Sequence, residues 1–543
     1  KGGASAKDKR KAALAVAGAL SEDVTRRSAR SAFLDLTLAF LSAQDPALRR
    51  AALAQRVLVG GALRHLAGDP PALVTRLLNA LQSSVLSEDS GIPTRLRATL
   101  FSELALDQLA QLSATDPVGA GPDAAPASAL AEDTLRELLT NPTHGLCSGL
   151  ATGATAQRTA KLLRRLNVTE SARHHTLLLA VARARPAVAS DYVEHVSALH
   201  FEPKLSARHL ASVALLTRLL PLAAARATEE LMLSPASSET TEQSALLTSM
   251  LGRGVCPPSL ARATFSRGLA HTSACVRHAH AGLVEASLRA LARLLAAARA
   301  RGGASQEEAL RTVARARLPE LQTLVALLSN APSSQDGTVP LLRLRALAAL
   351  AAYETCFPGA FAQDRFDPAK LLPASPVDLS VAEQGGVLRV LHASRHVNAA
   401  AGTDMAEDAE DDESLAYVPK PAHVRAILGL RIGSSSSSVR GSAGALLRRL
   451  ISKSRAVSAG KASREAPLWE AALPTVTATQ VVKGLGDDDA VINFFAEVWL
   501  QASRQRSTLE AEMGIDGAGP LAACALKRGP LALRSTKLAA TKR

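Results

Sequence analysis

Between Leu48 and Leu86 the chain carries one apolar stretch at helical spacing, a stop, and then a second such stretch. The stop is Gly68, Asp69, Pro70 and Pro71. After it, Val74, Leu78, Leu81 and Val85 fall at i, i+4, i+7 and i+11, which lines them along one side of a helix. Gly68 fits the left-handed position that closes a helix, Asp69 the cap of the next helix, and Pro70 its first turn. Two helices joined so tightly must turn back on each other. Similar punctuation recurs: Asn167 with Glu170 and Ser305 with Glu308 have capping-box spacing, and Pro186 and Ser206 divide the block Leu166–Leu220. That block reads as three helices, two proline breaks and a turn that carries Tyr192. Pairs of this kind without a strict period predict an all-α chain, an α-solenoid of degenerate HEAT- or armadillo-like helical pairs.

Composition points the same way. Aromatic residues make up only 3% of the 543, while Ala and Leu dominate, which favours thin interfaces between helices over a thick sheet core. A chain of this length exceeds a single core, so the core must divide or extend by repetition. The segments divide into N-terminal helical repeats (1–113), a Pro/Gly/Ala linker (114–130), central helical repeats (131–400), an acidic loop (401–416) and a C-terminal helical segment with a basic tail (417–543). Seven carboxylates lie between Asp404 and Glu413. They form either a solvated loop or a decoy that competes with RNA for a neighbouring basic surface. The serine run Ser434–Ser438 reads as a second loop.

The formal net charge is +14, carried mostly by Arg, and a polyanion such as nucleic acid is the simplest partner. GC-rich coding would also raise Ala and Arg together, so basicity alone does not decide. Arg158, Lys161 and Arg165 recur at three and four residues, with Arg164 beside them, and share a helix face that would track phosphates. The same spacing suits an ordinary solvated face. A second basic zone runs through Arg425, Arg431, Arg440, Arg448, Arg449, Lys453 and Arg455 around the serine loop, and the tail adds Lys527, Arg528, Arg534, Lys537, Lys542 and Arg543. Few aromatics interleave with these cations, so contacts to RNA shape and backbone are expected rather than base stacking. The RNA-binding candidates are Arg158, Lys161, Arg165, Arg277, Arg448 and Arg449.

Nothing in the sequence asks for a metal, a cofactor or catalysis. The five cysteines lie far apart with no C-x-x-C pair, which fits a reducing compartment. His174 and His175 are adjacent and point about 100° apart on a helix, and His278 and His280 point to nearly opposite sides, so neither pair shares a metal vertex. His271, near the second pair, adds no local vertex. There is no phosphate loop, nucleophile elbow or H-E-x-x-H helix. No run of about 18 apolar residues lacks an Arg or a helix breaker, so no membrane span is expected. Asn167, Val168 and Thr169 match a glycosylation sequon and read as a helix cap. The chain opens on Lys1 and reads as trimmed, so a leader cannot be judged.

Several blocks occur in an order that resembles one family. They are SAFLDLTLAFL, DPPALVTRLLNALQSSVL and LFSELALDQLAQL within Ser28–Leu112; the whole of Leu166–Leu220; PPSL, GLAH and VRH between Pro257 and His278; LPELQTLVALL from Leu318; and YETCFPGAFAQDRFDPAKLL from Tyr353. VINFFAEVWL at Val491–Leu500 extends the series. Together, over roughly residues 28 to 400, they resemble the N-terminal domain of the nucleolar pre-ribosomal-associated protein 1 family, whose members are considerably longer. The resemblance implies a non-catalytic nucleolar scaffold for early large-subunit precursors. Its implied partners are pre-ribosomal RNA, small nucleolar RNPs, a second large helical-repeat protein, an RNA-recognition-motif protein and a DEAD-box helicase. It carries over no catalytic residue. The competing reading is a protein-only helical adaptor that binds acidic partners without RNA.

Overall fold

A computed structural model describes residues 29–114, 124–144, 146, 153–195, 199–233, 240–301, 303–329, 338–373, 375–394, 421–453 and 488–504. Every regular element among the described residues is helical. The chain divides into two compact units, 1–201 with 206–227, and 202–205 with 228–543. This division falls inside the stretch grouped above as one central block, 131–400. It passes within a single helix that continues through Pro221.

The first unit comprises α1 (Ala29–Leu41), α2 (Pro46–Ala54), α3 (Arg56–Leu63), α4 (Pro71–Leu81), α5 (Thr94–Leu100), α6 (Glu103–Ala114), α7 (Ala124–Thr140), α8 (Gly153–Arg165), α9 (Ala172–Ala184), α10 (Pro186–Glu194) and α11 (Ala207–Leu233) as far as Ala227. Packing runs in two series: α1 on α4, α4 on α7 and α7 on α9; then α3 on α6, α6 on α8 and α8 on α10. The expected stripe does the packing in α4, where Val74, Leu77, Leu78 and Leu81 are all buried, and Val85 continues it in the wider turn Gln82–Leu86. Each such side chain is worth about 1.5–3 kcal/mol when removed from water.

The stop before α4 works differently from the expectation. The helix read over Leu48–Leu66 is broken at Gln55 into α2 and α3, and a short 3-10 turn, Leu66–Gly68, completes it. Gly68 keeps a negative φ, unlike Gly91 and Gly359. Pro70 takes the cap position and Pro71 the first turn. Asp69 is drawn away by Arg30, whose Nε and Nη2 donate to its carboxylate at 3.0 and 2.7 Å, a charged fork that outweighs one backbone N–H.

Further differences follow the same logic. Asn167 does not cap: α9 is capped by Ser171, whose Oγ accepts from the His174 N–H, and the Asn167 N–H donates to His174 Nδ1 at 3.0 Å. The sequon is therefore part of a turn held by a neighbouring side chain. Tyr192 lies within α10, not in a turn. α7 starts at Ala124, inside the stretch 114–130 read as linker, and residues 115–123 lie outside the described residues. α11 is long and apolar enough to cross a membrane by length and composition, which the reading from runs of residues did not find. Half of its most apolar stretch is buried in the fold, through Val213, Leu216, Leu220 and Ala224, and Arg218 and Arg226 interrupt it.

The second unit comprises α12 (Thr240–Gly254), α13 (Arg262–Leu269), α14 (Ala274–Ala300), α15 (Ala304–Arg317), α16 (Leu321–Ser329), α17 (Thr338–Cys356), α18 (Ala360–Gln363), α19 (Val381–Ala393), α20 (Pro421–Gly433), α21 (Ser437–Lys453) and α22 (Asp488–Arg504). α14 packs on α17, α17 on α19 and α19 on α21, with α13, α15 and α16 beside them. Gly268 of α13 lets α14 approach, because a Cβ there would stand 2.2 Å from the buried His280 ring. In the YETCFPGAF segment Glu354 is buried, and its carboxylate accepts from the Gly359 and Phe361 N–H groups at 2.8 and 3.0 Å, with Gly359 at φ 85°. These bonds fold the chain back after α17. Ser305 does not cap α15, whose cap is Gly303; a capping box is formed instead by Ser380 and Glu383 at α19. The serine loop is shorter than expected, since Ser437 and Ser438 open α21 and buried Ser434 donates to Gln384 at 2.7 Å. The acidic run Asp404–Glu413, Arg455 and the basic tail lie outside the described residues.

Candidate nucleic-acid interface

Helical spacing brings Arg158, Lys161 and Arg165 to one side of α8, as their sequence positions require. That side faces α6. Glu103 and Asp107 are one turn apart there, matching the one-turn spacing of Lys161 and Arg165. Lys161 lies 3.4 Å from Glu103, and Arg165 lies 3.1 Å from Glu103 and 2.5 Å from Asp107. Arg158 Nη1 donates to the Phe101 and Ala98 carbonyls at the end of α5, at 3.3 and 3.5 Å. The result is an ionic seam between helices rather than an open phosphate track. Its signal was present in LFSELALDQ as two acids at i and i+4, but nothing in the sequence says which helices meet.

The seam remains cationic in balance, three positive groups against two carboxylates. Lys161 and Arg165 keep 57% and 55% of their side-chain surface, so both still present charge to solvent while paired. Such exposed pairs contribute about 0–1 kcal/mol each. Arg164, on the adjoining side of α8, is exposed and lines a cleft with Arg185, Asp191 and Tyr192.

The remaining candidates lie in the second unit. Arg277 is half-buried on α14, with its Nε buried and unmatched. Arg448 is exposed on α21, and Arg449 is half-buried near His392 of α19. Of the second basic zone, Arg440 is turned inward, its Nη1 donating to the Ser434 carbonyl at 2.7 Å. Arginines of this unit also hold buried carboxylates: Glu285 sits between Arg289 and Arg345, and Glu307 between Arg299 and Arg311. Burial alone would raise the Glu307 carboxyl, but the two guanidinium groups outweigh it and hold the acid below the ordinary carboxylate range. Much of the positive charge is thus used inside the fold.

The histidines have structural posts. His174 joins α9 to α6: its Nε2 stands 2.9 Å from the Ala110 carbonyl and 3.1 Å from Ser113 Oγ, while its Nδ1 accepts from Asn167. These partners assign the proton to Nε2 of a neutral ring, and burial lowers its pKa accordingly. His144 is fully buried between Arg97, at 3.2 Å, and Glu137, at 2.8 Å. His271 Nδ1 accepts from the Ser273 N–H in its own turn. No group of three His, Cys, Asp or Glu residues is placed to hold a metal ion among the described residues. Burial pushes the Cys256 and Cys356 thiols up to about 12, which leaves little thiolate for chemistry.

Residues 9–212 match the model of a protein family, Npa1, described as "Ribosome 60S biogenesis N-terminal". No curated protein matches the chain.

Proposed function

We propose that the chain, whose residues 9–212 match this family of 60S ribosome biogenesis proteins, is a member of it and a non-catalytic scaffold for early large-subunit precursors in the nucleolus of the nucleus. The family match carries the proposal. In this reading the helices form an α-solenoid of HEAT- or armadillo-like pairs, favoured by the serial packing of α1, α4, α7 and α9 beside α3, α6, α8 and α10. Stacked helices offer area rather than a pocket, and an assembly factor needs area. One surface holds pre-ribosomal RNA through its backbone, and others hold protein partners: small nucleolar RNPs, a second helical-repeat protein, an RNA-recognition-motif protein and a DEAD-box helicase.

The proposed RNA contacts are Arg158, Lys161, Arg165, Arg277, Arg448 and Arg449. The net cationic, half-exposed α8 seam favours the first three, because phosphates can share cations that are already held in place by Glu103 and Asp107. A filter-binding titration with structured rRNA fragments at two salt concentrations tests this. Binding that weakens steeply with salt, with a smaller slope in the Lys161→Ala/Arg165→Ala variant, supports RNA contact. No binding even at low salt favours the protein-only adaptor, which the consumption of so many arginines inside the fold makes the natural second reading.

A further inference from the structure

The cleft between α8 and α10, inside the first unit, is built unlike the seam on the other side of α8. Its walls are apolar: Ala160, Leu163, Ala187 and Val188 line a cleft that opens to solvent. Tyr192 is only 6% exposed and lines this space, yet its phenol forms no hydrogen bond with a described residue. Burial pushes that phenol up to about 12, so it stays a protonated donor. The phenol oxygen is reached by solvent rather than sealed in the core, so it is open to an acceptor that enters the cleft.

The rim adds charge of both signs that is not spent. Arg164 and the Asp191 carboxylate both line the cleft, and neither forms an ion pair with each other or with any described group. Arg185 is fixed at the edge by its Nη1 donating to the Leu146 carbonyl at 3.2 Å. Everywhere else on α8 the cations have found carbonyls or carboxylates, so an unspent donor, acceptor and phenol around one apolar trough stand out as a set.

We propose that this cleft is a docking site for a short peptide segment of a protein partner, one bulky apolar side chain seated on the alanine floor and a neighbouring carboxylate on Arg164. Two guanidinium groups against one carboxylate make the rim complementary to an acidic segment, while Asp191 receives a backbone N–H of the peptide and Tyr192 donates to a backbone carbonyl. RNA suits the cleft poorly, because Asp191 repels phosphate and the Tyr192 ring is too buried to stack a base. The inference rests on the scaffold reading in expecting a protein partner. Its test reads peptide binding directly, so the cleft and the rRNA titration fail separately.

The test pans a random dodecapeptide phage library against the full chain and then measures the selected peptides by fluorescence polarisation. Peptides with a large apolar residue within three positions of Asp or Glu are expected to be selected. Their affinity should fall at least tenfold in Arg164→Glu, fall severalfold in Tyr192→Phe, and vanish in Ala160→Trp, which fills the floor. Circular dichroism checks the folding of Ala160→Trp; Arg164 is exposed and unpaired, so its variant tests the idea even if the tryptophan variant does not fold. The proposal is overturned if no peptide is selected, if the selected peptides are basic, if they bind Arg164→Glu as tightly as the parent chain, or if a decauridylate RNA displaces them through Arg164.

Discussion

A tie in the first unit and three in the second fasten buried polar groups across helices by different means. In the first, the tie between α6 and α9 is a neutral ring: His174 reaches the Ala110 carbonyl, Ser113 and the Asn167 N–H. In the second, the ties are carboxylates. Glu354 gathers two backbone N–H groups, and Glu307 and Glu285 each sit between two arginines. A neutral tie costs little desolvation, and a ring such as His174, held below 6.5 by burial, loses its contribution as the pH falls below that value. An ionised tie makes stronger bonds and fails only when it is protonated in acid. The contrast teaches that the same helical packing can be fastened with different pH responses.

The largest expected effect is at Glu354. Glu354→Ala leaves two buried N–H groups without an acceptor and should cost about 3–4 kcal/mol, read from urea denaturation of the full chain with hydrogen exchange in α17 and α18 as the local probe. His174→Ala strands the Asn167 N–H, leaves Ser113 bonded to the Ala110 carbonyl and removes no charge, so a smaller loss of about 1–3 kcal/mol is expected, localised to α6 and α9. If the histidine variant lost more than the glutamate variant, the contrast between the two fastenings would be broken.

The pH response sharpens it. Burial holds His174 below its ordinary 6.5, so the unfolded chain takes up the proton first and stability falls as the pH drops through 6.5. Glu307 is held below 4.5, so its contribution is complete above 4.5 and is lost only as the pH falls below that value. His278 and His392 are lowered by burial as well and give the second unit a share of the earlier loss, so the measurement is local. Between pH 7 and 5.5 the amide protection factors, which correct for the slower intrinsic exchange in acid, should fall in α9 more than in α15, and His174→Gln/His175→Gln should remove most of the α9 loss. An equal fall in both helices of the parent chain would count against the contrast.

The smallest effect belongs to the seam. Lys161→Ala/Arg165→Ala should change stability by no more than about 1 kcal/mol, because those pairs are exposed and screened, while it lowers the salt slope of rRNA binding. A loss of several kcal/mol would mean that the seam is a structural tie like the other two.

Much of the fold was legible in the chain itself. The stripe Val74, Leu78, Leu81 and Val85 lies buried where its spacing puts it, and Pro186 opens a helix as its fixed φ requires. The misreadings share a cause. Asp69, Asn167 and Ser434 all have local jobs by pattern, and each has a distant partner instead: Arg30, His174 and Gln384. The candidate site was half legible. The face shared by Arg158, Lys161 and Arg165 followed from their spacing, but Glu103 and Asp107, 58 residues away from their partners, did not.

Sequence alone determined that this chain is helical and which side of a helix such as α4 is apolar, because those properties depend on neighbours within a turn or two. Tertiary structure decided which charges are spent and which remain. Whether Arg165 meets a carboxylate and Arg164 meets none depends on which helix lies alongside, and that is set by packing over the whole unit rather than by local sequence.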